Sequence, residues 1–180
     1  MQVMVNSATF MTGESTLCPV SVYGYSSNSV PGIDIVGLDK KSKLIKEKIS
    51  YLLRLFQLKL PLKRYVLVIN EVDIPIGRSN VHCLELPLLL SLLVLSRNLG
   101  IHRLDDCFAI GEFALNGRVR EPMLNIEQRN SIYRVIHREN DRDLVKLISN
   151  YTYDSCERVQ VLSLNQLLED SRLPVFGPSH

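Results

Sequence analysis

HCLELPLLLSLLVLS, residues 82–96, decides how this chain folds, because a stretch that is apolar on every side has to be wrapped by the rest. Nine of its positions from Leu84 to Leu95 are Leu or Val, and Ser91 is the one interior polar side chain beyond Glu85. A helix with no wet face is a core helix. It is too short to cross a bilayer, which takes about 20 apolar residues, and Arg97 and Asn98 close it early. Pro87 falls in the first turn, where its missing N–H has no helical partner to lose. Glu85 suits the positive end of the helix dipole. The pattern predicts a helix that starts between Cys83 and Glu85 and stops before Gly100, a natural C-terminal residue.

Around that helix the composition is that of an ordinary globular protein. The chain has 180 residues, 46% hydrophobic and 22% charged, enough for one sizeable core. The expected organisation is one domain over residues 1–170 with a flexible tail over 171–180. A formal charge of +2 is too near neutral to argue for nucleic acid by itself, so any basic surface has to be local. Cys18, Cys83, Cys107 and Cys156 lie far apart with no CxxC pair, which offers neither a zinc site nor a disulfide framework. A reduced, cytoplasmic protein is expected, with no metal, no cofactor and no membrane contact. Residues 1–10 lack the basic head and apolar stretch of a signal peptide.

In chain order, Val3, Val5 and Phe10 and then the alternating Val20 and Val22 predict two strands joined by a turn at Gly13. Residues 33–36 make a third strand after Pro31 and Gly32. Asp39 is a plausible N-cap for a helix in which Ile45, Ile49, Leu52, Leu53 and Phe56 recur on one face. Residues 65–69 form a continuous apolar run of the kind buried on both faces. After the core helix come a buried strand at 107–110 and a hairpin signalled by Asn116 and Gly117, with a return strand at 118–120. Ile126, Ile132, Tyr133 and Ile136 define a third helix over residues 125–139. Strands are expected at 144–148 and 159–162, and a last helix from Ser163 to Leu168.

Both amphipathic helices have basic outer sides. The first carries Lys40, Lys41, Lys43, Lys46 and Lys48, the third Arg129, Arg134 and Arg138. The first cluster sits where the helix dipole disfavours cations. It reads either as a solvated face or as a patch for an acidic protein or for phosphates.

Four pieces stand in order: PGIDIVGL at 31–38 before an amphipathic helix, KRYVLVIN at 63–70, LELP at 84–87 opening the core helix, and GEFALNGRVREP at 111–122. In that order and spacing they resemble the N-terminal domain of the magnesium-chelatase-related competence ATPases of the ComM type, over roughly Val5 to Leu168. The resemblance implies an α+β fold similar to the proteolytic domain of Lon, with β-α-β connections and a mixed sheet packed against helices. In that family the domain precedes an AAA+ module that drives branch migration of DNA as a hexameric ring. The chain departs from the family at Asp39, where a proline is usual, and at residues 78–83, where a glycine-proline pair is usual.

Lon-type proteases use a serine at the start of the core helix and a lysine after the strand that matches residues 118–120. Serine needs such a base to become a nucleophile. By the resemblance, the serine position falls on Cys83 and the lysine position near Asn125 and Ile126, and no lysine occurs between Arg118 and Asp143. The dyad is missing, and so is the GxxxxGK[ST] string of a phosphate-binding loop. Cys83 has two readings: a thiol activated at a helix N-terminus beside His82, or a small buried hydrophobe at the edge of a leucine helix. Nothing in the sequence marks Ser79 as a nucleophile, His102 and His137 are isolated, and Glu112 reads as a turn carboxylate. The expectation is a non-catalytic module that docks to an AAA+ ATPase in cis or in trans, with self-association and indirect DNA contact as further partners. The rival is a peptidase or thiol hydrolase rebuilt around Cys83.

Overall fold

In the computed structural model, described over residues 1–10, 17–70, 81–99, 104–116, 119–120, 124–139, 145–148 and 159–162, the core helix is where its sequence puts it. A 3-10 turn, Val81–Leu84, leads into α2, Glu85–Leu95, and all eleven residues of α2 are buried. Pro87 is third in the helix, within the first turn. The buried Ser91 hydroxyl donates to the Pro87 carbonyl one turn back (2.8 Å), so the helix carries no unsatisfied polar group there.

It lies against one face of a single sheet. Strands β1 (Gln2–Phe10), β2 (Leu17–Ser27), β3 (Gly32–Val36), β4 (Arg64–Asn70), β5 (Cys107–Ala109), β8 (Val145–Ile148) and β9 (Val159–Leu162) make one sheet in the order β3-β4-β2-β1-β5-β8-β9. Only β2 runs against its neighbours; β3 with β4, β1 with β5, β5 with β8 and β8 with β9 are parallel pairs. The parallel pairs need crossovers. The helix α1, Asp39–Leu55, joins β3 to β4, and α2 lies between β4 and β5. A small hairpin of β6 (Glu112–Phe113) and β7 (Val119–Arg120) follows, then α3, Ile126–Glu139. The fold is α+β, a mixed sheet against three helices.

Period-two alternation assigns the two sheet faces. Val3, Val5, Val20, Val22, Tyr65, Leu67 and Ile69 point to the side where α1 and α2 supply Ile45, Ile49, Leu52 and the leucines. Ala8, Phe10 and Phe108 point to the other side, against Ile132 of α3. Gly24 has to be glycine for α2 to lie this close: an added Cβ would stand 2.9 Å from Val3 Cγ1 and 3.0 Å from Leu95 Cδ1.

Three local expectations are corrected. Asp39 does not cap α1, since no side-chain cap bond forms and Leu38 holds the N-cap position. Asp39 instead has φ 45°, a conformation closed to proline, whose ring fixes φ near −65°. Neither long helix waits for a glycine to stop. Gln57 (φ 54°) and Arg97 (φ 60°) take the left-handed turn, and each is followed by a Schellman pair of bonds: Leu58 N–H to Leu53 O with Gln57 N–H to Arg54 O, and Asn98 N–H to Leu93 O with Arg97 N–H to Val94 O. Ile126, assigned above to the buried side of α3, is 77% exposed, because α3 begins with a capping box instead. Asn125 Oδ1 accepts from Gln128 N–H (2.8 Å) and Gln128 Oε1 from Asn125 N–H (3.0 Å). The turn at Gly13, the helix at 163–168, the tail at 171–180 and Cys156 lie outside the described residues.

Candidate functional site

The start of α2 collects charge. Glu85, the first residue of α2, is 2% exposed, and a carboxylate so buried requires partners. It has three. Lys48 of α1 donates its ammonium to Glu85 Oε2 at 2.5 Å, Phe113 of β6 donates its backbone N–H to the same oxygen at 2.8 Å, and His82 Nδ1 lies 2.9 Å from Glu85 Oε1. Glu112 completes the corner, with its Oε1 3.7 Å from Lys48 Nζ and 3.9 Å from His82 Nδ1. Two backbone bonds fasten the corner to the hairpin: Leu86 N–H to Gly111 O (3.0 Å) and Gly111 N–H to Cys83 O (3.1 Å). The first satisfies a helix-terminal donor that has no partner within the helix.

Sequence reasoning missed this assembly. It placed Lys48 among the outward lysines, yet Lys48 follows Ile45 by three residues and precedes Leu52 by four, which sets it on the margin of the buried stripe. His82 and Glu85, three apart, were the other available signal. Glu112, read as a turn carboxylate, faces the same corner.

His82, Glu85 and Glu112 bring ligand-type atoms within 4.8 Å of one another, a grouping that the spacing in the chain did not show. The Lys48 ammonium already stands against Glu85, so the protein supplies its own cation there.

Cys83 sits beside this corner but turns away from it. It is fully buried, packed with Ala8, Phe10, Phe108, Ile110 and Ile132. Burial, and next the negative charge of Glu112, push its thiol up from 9.0 to about 12. That is the opposite of activation, since the thiolate is the nucleophilic form. The structure thus places Cys83 as a small hydrophobe. His82 is next in sequence, but its Nδ1 is directed at Glu85.

The basic residues fall on two separate surfaces. On α1, Lys40 and Lys43 are exposed, while Lys41 and Lys46 are half-buried. On α3, Arg129 and Arg134 are exposed, and the side chain of Arg138, like that of His137, lies outside the described residues. Because α1 and α3 pack on opposite faces of the sheet, the two clusters do not form one basic surface. Ser79 and His102 also lie outside the described residues.

A second concavity, of about 520 Å³, opens on the strand side, lined by Gln2, Met4, Tyr23, Tyr25, Leu104 and Asp105 among others. Among the described residues its lining holds no Ser, Thr, Cys, Lys or His. Among the described residues no helix is long and apolar enough to cross a membrane. No protein-family model matches this chain, and no curated protein matches it.

Proposed function

We propose that this chain is a non-catalytic assembly module that works by docking, related in design to the domain that precedes the AAA+ motor in ComM-type competence ATPases, and that its partner is such an ATPase, in cis or in trans, acting on DNA. The observation that carries the non-catalytic part is Cys83. At the position where a Lon-type enzyme would hold its nucleophile, the side chain is fully buried and its thiol is pushed up to about 12, while the nearby carboxylates and the lysine are engaged with one another. The resemblance of the four sequence pieces supports the ATPase part.

The test has two arms. Bait carrying the full chain is incubated in a native lysate of its source and recovered proteins are identified by mass spectrometry, against an unrelated α+β bait of similar charge. Recovery of an AAA+ ATPase specific to this chain is expected. In parallel, peptide and thioester hydrolysis is assayed for the wild type and for Cys83→Ala. Hydrolysis that disappears in Cys83→Ala would overturn the reading, as would a wild-type bait that recovers no ATPase.

A further inference from the structure

The outward side of α1 carries a feature that a merely solvated helix does not need. Leu44, Tyr51 and Leu55 are 65%, 49% and 46% exposed. At about 100° per residue, their numbering sets them within roughly 40° of arc, and at 1.5 Å rise per residue they span about 16 Å. The helix meets its own core through Ile45, Ile49, Leu52 and Leu53, on the other side. Along one flank of the exposed stripe stand Lys40, Lys43 and Arg54, all exposed, with Glu47 the one acid among them.

The lysines are placed against the interest of the free helix. Lys40 is second in α1 and Lys43 fifth, near the positive end of the dipole, where cations are destabilising. An anionic partner reverses that sign.

We infer that this side of α1 docks an acidic amphipathic helix from another protein. Its apolar side chains, spaced at three to four residues, cover Leu44, Tyr51 and Leu55, and its Asp or Glu flank meets Lys40, Lys43 and Arg54. The inference rests on the docking function proposed above and names the chemistry of the partner. Charge complementarity selects this occupant. A second copy of α1 would set lysine against lysine, and a DNA backbone would leave the apolar stripe wet.

The test is a display selection against the full chain with random helix-biased peptides of about 15 residues, roughly four turns. Enriched peptides are then measured against wild type, Leu44→Ser and Lys40→Glu. The expected peptides are acidic with an apolar stripe, weaken with salt, and lose about tenfold or more in affinity for each variant. Lys40→Glu should at the same time raise the melting temperature of the free chain, because it suits the dipole, so its lost binding cannot be ascribed to unfolding. Enrichment of neutral or basic peptides, affinities unchanged in the variants, or no enrichment would each overturn the inference. So would co-sedimentation with phosphatidylserine vesicles that Leu44→Ser abolishes, since the stripe would then belong to lipid. Failure here is separable from failure of the proposed function: an AAA+ ATPase recovered equally by Leu44→Ser bait keeps the module and moves its docking surface elsewhere.

Discussion

Glu85 shows what one buried charge asks of its surroundings. An ammonium, an imidazole and an amide converge on it from three elements, and removing it strands the Lys48 ammonium, which is only 16% exposed, and the Phe113 N–H. Glu85→Ala should therefore cost about 3–5 kcal/mol in urea unfolding. Lys48→Met combined with Glu85→Ala should be more stable than Glu85→Ala alone, with a coupling on the order of 1–3 kcal/mol. Additive single-mutant costs would mean that the pair is not a unit. At Cys83 the sign of the pH effect follows from a raised folded pKa. Below about 9 both states hold the proton and stability is unaffected; between about 9 and 12 only the folded chain keeps it, so stability falls as pH rises, by up to about 1.4 kcal/mol per pH unit. Tyr65, also pushed up by burial, adds in the same direction. Cys83→Ala should flatten this alkaline slope without changing it below pH 9. In the native protein iodoacetamide should reach the half-buried Cys18 well before Cys83.

Helices α1 and α2 end on residues that resist the geometry they adopt. A left-handed backbone costs a non-glycine residue roughly 1–2 kcal/mol, and both Gln57 and Arg97 accept it to complete their Schellman bonds. Both are exposed, so little packing is lost on substitution. Gln57→Gly and Arg97→Gly should each stabilise the chain on the order of 1 kcal/mol despite the greater freedom of glycine in the unfolded state. A decrease in the unfolding midpoint would show that the side chains contribute more than the strain. Asn125→Ala, which removes the bond from Gln128 N–H to the Asn125 side chain and leaves the one from its own backbone N–H to Gln128 Oε1, should cost about 1 kcal/mol. Elements were readily legible in the sequence: the strands at 33–36, 65–69, 107–110 and 159–162 and all three described helices stand within a few residues of their periodic patterns. Their ends were less so, because a stop signal was sought in Gly100 whereas the structure uses Arg97, a residue with no left-handed preference to read.

Across the whole molecule the sheet and α2 depend on each other. Gly24 of β2 leaves room for Leu95, so Gly24→Ala should cost about 1–3 kcal/mol by overpacking. Leu90, with no exposed surface, should cost about 2–5 kcal/mol when cut to Ala. Both losses should appear in one cooperative transition seen by circular dichroism. Among the described residues the sequence by itself determined which segments are helix and which are strand, that residues 84–95 go inside, and that Lys40 and Lys43 stay out, because these follow from local periodicity and from the cost of burying charge. Only the tertiary structure decided that β1 pairs with both β2 and β5, that Lys48 turns inward to Glu85, that Cys83 packs under α3, and that the two basic helices lie on opposite faces. Each of these depends on which strand pairs with which, a long-range choice that residue spacing along the chain does not encode.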